Sequence, residues 1–281
     1  MIFSKKEADI YIPDQTNFRD ATHRTTHLAI GAHQDDLEIF AYHGIASCFE
    51  HESKSFGGIT ITNGSGSSRT GEFADHSDKW MMALRREEQR KAADLGKYSF
   101  VVQLDYESSE VKDGENLHVS NDILKVLSAC SAETIYLHNP ADKHPTHIGV
   151  LKKSLDALRK LPNDMKPKKL YACEVWRDLD WLLDEDKVAL DVSLYPDLAS
   201  ELLKVFRTQI AGGKRYDLAT LGRRRANATY YHSHAADSET ELTWAIDLMP
   251  LLKDPSLTLE GFTLSLVDRF RIDIKKQLKG F

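Results

Sequence analysis

Short apolar runs alternate with longer stretches of helical period along most of this chain. Thr26 to Ala32 reads as a first buried strand, and Phe56 to Thr62 as a second, with alternation and β-branched residues. Phe100 to Leu104, Glu133 to His138 and Lys168 to Glu174 continue the series. Between them, apolar spacing predicts helices from Asp36 to about Glu50, from Trp80 to a C-cap at Gly96, over Val119 to Cys130, and from Ile148 to about Lys160. Asp197 to Ile210 reads as a further helix. Alternation of this kind to about residue 175 argues for parallel βαβ units: an α/β fold, its mostly parallel sheet covered by helices on both faces. Residues 1–25 are polar, with Pro13, and read as an extension lying on the surface. The last seventy residues carry no clear period. With no repeat and no low-complexity linker, the expectation is one domain over 1–281, residues 226–281 being a C-terminal elaboration.

Composition narrows the function classes. A net charge of −6 gives no basic excess for nucleic acid, and the one compact basic cluster, Arg223 to Arg225, is too short to argue otherwise. Cys48, Cys130 and Cys173 are sparse and odd in number, which is no disulfide framework and fits a reducing compartment. No apolar run is long enough to span a membrane, and the first residues lack the basic-then-apolar order of a signal peptide, so the expected location is cytoplasmic.

The chemistry concentrates at two predicted strand ends. After the first strand come His33, Asp35, Asp36 and Glu38; after the strand ending at His138 come Asp142, His144 and His147. The bland reading makes Asp35 or Asp36 a helix cap and the histidines core or surface residues. In a parallel sheet, however, all such turns lie at one edge, where ligands bind. His33, Asp36 and His147 can therefore converge across more than a hundred residues. Two imidazoles and a carboxylate are a familiar catalytic zinc set with a fourth position open to water, although such a site also suits iron(II). A bound ion lowers the pKa of that water from about 15.7 to around 7. Asp35 and His144 are then a spare carboxylate and a spare imidazole, with Asp142 placed to orient His144 from a second layer. The glycine-serine loop from Asn63 to Gly71 lacks the lysine and spacing of a phosphate-binding loop, and reads as a flexible connection that can still line a pocket.

Ala32-His33-Gln34-Asp35-Asp36, with His144-Pro145-Thr146-His147 about a hundred residues later, resembles the paired A-H-P-D-D and H-P-D-H motifs of the LmbE-like, or PIG-L, family of zinc-dependent de-N-acetylases. Arg85, Glu88, Ala92 and Leu95-Gly96 look like that family's R-x-x-E helix, and Gln209 resembles a late glutamine. The resemblance covers roughly residues 26–225. It implies a Rossmann-like fold, with His33, Asp36 and His147 as zinc ligands, Asp35 as general base, and His144 as acid or oxyanion stabiliser. Arg85 would reach the substrate hydroxyls, and the reaction would hydrolyse a small N-acetylated sugar or glycoconjugate, in a chain that could self-associate. Gln34 and Thr146 depart from the family's proline and aspartate. His232 and His234 read as surface residues, and Trp176 and Trp181 as sugar-stacking or core aromatics. A hydrolase of another amide or ester, or a non-catalytic carbohydrate-binding member of the fold, are the competing readings.

Overall fold

The computed structural model describes residues 1–280. The chain opens with β1 (Asp9–Tyr11), α1 (Phe18–Arg24) and β2 (His27–Gly31), followed by α2 (Asp36–Phe40), α3 (Tyr42–Cys48) and β3 (Phe56–Thr62). Next come α4 (Asp78–Leu95), β4 (Phe100–Tyr106), α5 (Ser108–Lys112), α6 (His118–Ala129), β5 (Thr134–His138), α7 (Pro145–Lys160) and β6 (Lys169–Cys173). The remainder holds β7 (Val188–Asp191), α8 (Pro196–Lys204), α9 (Arg207–Ile210), α10 (Tyr216–Tyr230), β8 (Leu242–Asp247), α11 (Met249–Lys253) and α12 (Leu259–Lys279).

One eight-stranded sheet runs in the order β1-β4-β3-β2-β5-β6-β8-β7. β4, β3, β2, β5 and β6 are mutually parallel, while β1 and the β8–β7 pair attach antiparallel. β2 and β3 are buried almost throughout, as expected of strands covered on both faces. The core accordingly divides into two clusters, one on each face: Leu28 and Ile30 of β2 point into one, Ala29 into the other. The chain moves outward from β2 through β3 to β4, then returns to β5 on the other side of β2. That reversal opens a crevice beyond the carboxyl ends of β2 and β5.

Three expectations are corrected. Residues 1–25 are not a loose surface layer: β1 pairs with β4, and Ile10, Ile12 and Phe18 pack against the core. The helix expected from Asp36 to Glu50 breaks at Ala41 (φ −106°, ψ 18°) into α2 and α3. The one expected over Asp197 to Ile210 breaks at Phe206 into α8 and α9. Both breaks keep the apolar period, so periodicity alone does not reveal them. The last seventy residues hold α10, β8, α11 and α12, and β8 inserts between β6 and β7.

Gly31, at the end of β2, lets α2 sit directly on the strand. A Cβ there would lie 2.9 Å from Asp36 Cβ and 3.1 Å from Leu37 Cδ2. Gly31→Ala should cost about 1–3 kcal/mol in chemical denaturation, because overpacking displaces its neighbours. An unchanged midpoint would show that α2 shifts freely on the sheet.

Candidate metal centre

The turn after β2 is built tightly. Asp35 adopts a left-handed conformation (φ 100°), uncommon for a non-glycine residue and one that aspartate tolerates better than most. The kink separates the two carboxylates. Asp36 turns inward: its Oδ2 accepts the His33 N–H at 2.7 Å and lies 3.3 Å from His33 Nδ1. Asp35 stands at the N-cap of α2 but accepts no capping hydrogen bond, and its Oδ1 lies 3.8 Å from Arg85 Nη2. The cap expected as the bland role for Asp35 is therefore absent.

The turn after β5 supplies the opposite wall. His144 is the N-cap of α7, its Nδ1 accepting the Thr146 N–H at 3.3 Å. An imidazole whose Nδ1 accepts carries its proton on Nε2 when neutral. His147, one turn into α7, points Nε2 at the first cluster, 3.2 Å from His33 Nδ1 and 3.5 Å from Asp36 Oδ1. Its Nδ1 lies 3.5 Å from Asp142 Oδ1. Asp142 also accepts the His144 N–H (2.8 Å) and the Trp176 N–H (3.0 Å). The carboxylate expected to orient the His144 ring thus faces the His147 ring and holds His144 only through its backbone.

Charge follows this geometry. Burial opposes ionisation of Asp36, yet His147 and His138 hold its carboxyl well below the usual range. Burial, with the nearby Asp36, Glu38 and Glu88 charges, pushes Asp35 well above it, against the pull of Arg85. Burial lowers His33, and takes His144 down to about 4. Both imidazoles are therefore neutral at neutral pH. His147 is pulled down by burial, but Asp36 and Asp142 bring it out raised.

Two groups of donors here are close enough to hold a metal ion: His33, His144 and His147, and Asp36, His138 and His147. His138, the last residue of β5, was not singled out from the sequence. The available signal was its place: the terminal residue of a parallel strand faces the same edge as the motifs. Its Nε2 accepts the Ala32 N–H at 2.9 Å, and its ring stacks on His147 (3.8 Å, 21°). Ring-nitrogen lone pairs lie in the ring plane, so near-parallel stacked rings converge poorly on one point. His33 Nδ1 lies 3.2 Å from His147 Nε2 and 3.3 Å from Asp36 Oδ2, while His147 Nε2 lies 3.5 Å from the other Asp36 oxygen, Oδ1, so the carboxylate faces one imidazole with each oxygen. An ion with tetrahedral bonds of ~2.0–2.1 Å sets adjacent donors ~3.3–3.4 Å apart, so this donor set fits such an ion.

Arg85 and Gln34 brace the turn from behind. Arg85 is buried, with Nε on Gln34 Oε1 (3.2 Å), Nη2 on the Gln34 carbonyl and Nη1 on Ser67 Oγ (2.8 Å). Gln34 Nε2 in turn donates to the Thr62 carbonyl (3.0 Å) and Gln103 Oε1 (3.2 Å). The departure at Gln34 thus replaces a stiff residue with a hydrogen-bonded tie to β3 and β4. Glu88 accepts from the Thr208 N–H and hydroxyl (2.8 and 2.6 Å), which anchors α9 and sets Gln209 on the pocket wall.

His33, Asp35, Asp36, Arg85, His144 and Gln209 line a cavity of about 640 Å³, within the range of small-molecule sites, and His147 and Asp142 lie behind them. The loop from Asn63 to Ser68, Ser108, Lys112, Thr146 and Trp176 line it as well. Trp181 packs instead against Phe270, and His232 and His234 lie beyond α10, away from the cavity. Lys214, Tyr216, Arg223 and Arg224, from α10 and the loop before it, also reach the cavity, which the weak periodicity of that region did not reveal. No helix among the described residues is long and apolar enough to cross a membrane.

Among solved structures, the fold is similar to the conserved protein TT1542 from Thermus thermophilus, with a TM-score of 0.63 and 16% identity over 83% of this chain and 99% of that one. It is also similar to the N,N'-diacetylchitobiose deacetylase from Pyrococcus horikoshii (TM-score 0.62, 17% identity, 85% of this chain and 88% of that one). A third is GalB, the 4-carboxy-2-hydroxymuconate hydratase from Pseudomonas putida (TM-score 0.57, 17% identity, 83% and 98%). Among curated proteins, none matches the chain by sequence. Residues 28–158 match the PIG-L family, described as GlcNAc-PI de-N-acetylase. That span runs from β2 to α7 and contains both polar turns, Arg85 and Asp142, so the crevice beyond β2 and β5 lies within the part of the chain that matches the PIG-L, LmbE-like family.

Proposed function

We propose that the protein is a zinc-dependent N-deacetylase that hydrolyses the acetamido group of an N-acetyl sugar or glycoconjugate to the free amine and acetate. The observation that carries this reading is the spacing of His33, Asp36 and His147 beside a carboxylate, Asp35, that neither caps a helix nor joins the donor set. The family match and the deacetylase among the similar structures support it.

His33, Asp36 and His147 would hold the ion, with Asp142 aligning His147 through Nδ1. Bound there, zinc supplies Lewis acidity and an activated water. Asp35, which neither caps a helix nor joins the donor set, would act as general base through its carboxylate and give the proton on to the leaving nitrogen. His144, with its proton on Nε2, donates a hydrogen bond to the carbonyl oxygen as negative charge develops there. Its lowered pKa favours this stabilising role over that of a charged acid. Arg85, locked by Gln34 and Ser67, presents its remaining N–H edge to the sugar hydroxyls.

Chelator treatment followed by an N-acetylated sugar panel tests this reading. Acetate release should fall by at least about tenfold after chelation and return with one equivalent of zinc. The hydratase of similar fold favours one second reading, in which the same site adds water to another bond. Restored metal with no acetate from any substrate would support that alternative.

A further inference from the structure

Glu38 stands in the first polar turn, yet the chemistry above leaves it unused. It lies in α2, two residues after Asp36, and is 1% exposed. Its Oε1 accepts two hydrogen bonds, from the Tyr98 hydroxyl and from Gln89 Nε2, each 2.8 Å long. Tyr98, just before β4, and Gln89, on α4, are buried as well. Gln89 is one helical turn beyond Arg85. Where Arg85 braces Gln34, Gln89 reaches the next residue of the turn: its Oε1 accepts the Asp35 N–H at 3.4 Å. That N–H forms no other hydrogen bond among the described residues.

A side-chain amide has a donor corner and an acceptor corner. Glu38 Oε1, which also accepts the Tyr98 hydroxyl, takes the donor corner of Gln89 and leaves the acceptor corner to Asp35. The bond meets the backbone where it is least ordinary. φ is the rotation about N–Cα, and at Asp35 it is 100°. Such a conformation in a non-glycine residue persists only where its surroundings hold it. It is also the conformation that parts the Asp35 carboxylate from that of Asp36 and turns it to the cavity.

We propose that Gln89 is a positioning residue for Asp35, kept in its accepting orientation by Glu38 and Tyr98, so that a buried chain from Tyr98 through Glu38 to Gln89 aims the carboxylate of the general base. The proposal rests on the deacetylase reading for what Asp35 does, and on these hydrogen bonds for how it is held. Losing the Gln89 acceptor strands a buried N–H, and the turn relaxes towards an ordinary backbone. Gln89→Met tests this, since methionine has the length of glutamine and no amide. Three quantities are read on one sample: amide hydrogen exchange, metal content and the kinetics of acetate release. Exchange at the Asp35 amide should quicken by about tenfold or more, with the rest of α4 unchanged. kcat should fall by about 10- to 100-fold while KM and metal content hold, because the carboxylate is misplaced and not removed. Unchanged exchange at Asp35, an unchanged kcat, or a fall in kcat accompanied by lost metal or by faster exchange throughout α4 overturns the proposal. Tyr98→Phe keeps the ring packed on Phe56 and removes only the hydroxyl. It should move exchange and kcat in the same direction, and it decides the matter if Gln89→Met does not fold. No acetate from the native protein on any N-acetylated sugar removes the deacetylase reading, while exchange at the Asp35 amide still decides what holds the turn.

Discussion

Asp35→Asn should retain a full complement of metal and lose about 10²- to 10⁴-fold in turnover, the usual contribution of a positioned general base. The substitution is nearly isosteric, and asparagine tolerates the left-handed backbone as aspartate does. The Asp35 side chain caps no helix, and Asp36, not Asp35, faces His33 and His147. What changes is the capacity to take a proton at the pocket floor. Removing one of two adjacent buried carboxylates also relieves repulsion, so the fold should not suffer. Kinetics on the purified variant, with elemental analysis of the same sample, measure both halves of the expectation. Full activity would show that another group takes the proton. Lost metal would place Asp35 among the ligands.

His147→Ala should lose both metal and activity, with metal affinity falling by more than the roughly 10–100-fold typical of losing a residue that only orients a ligand. His147 is the residue common to both donor groupings, and it links the turn after β2 to that after β5. The informative partner is His138→Gln. Glutamine can still accept the Ala32 N–H, so it preserves what His138 Nε2 does in the fold. If His33, Asp36 and His147 hold the ion, His138→Gln keeps its metal while His33→Ala does not. Loss of metal in His138→Gln with retention in His33→Ala would move the site to Asp36, His138 and His147. Equilibrium dialysis against buffered zinc reads these outcomes directly.

The two polar turns were legible because a cluster at a strand end leaves a local trace: polar, titratable residues interrupting an apolar run just where strand becomes helix. His33, Asp35, Asp36, His144 and His147 all showed that trace; the first four line the cavity, and His147 is buried beside His33. His138 did not, since its only signal was position within a strand whose neighbours were unknown. Gln34 looked like a loss of the family's proline, and only its contacts with Thr62, Gln103 and Arg85 show what it does instead.

By itself, the sequence determined the central parallel strands, the helices α4, α6 and α7, and the residue types that gather in the two turns of the candidate metal centre. These depend on period and on strand-to-helix boundaries, which are local properties of the chain. Only the tertiary structure decided which carboxylate faces the metal-binding cluster, which ring Asp142 touches, and that β1 and β8 join the sheet. Tertiary packing also brought the cations of α10 to the pocket. Each of those depends on contacts between residues remote in sequence, and a three-residue strand or a single arginine carries no periodic signal to announce where it will pack.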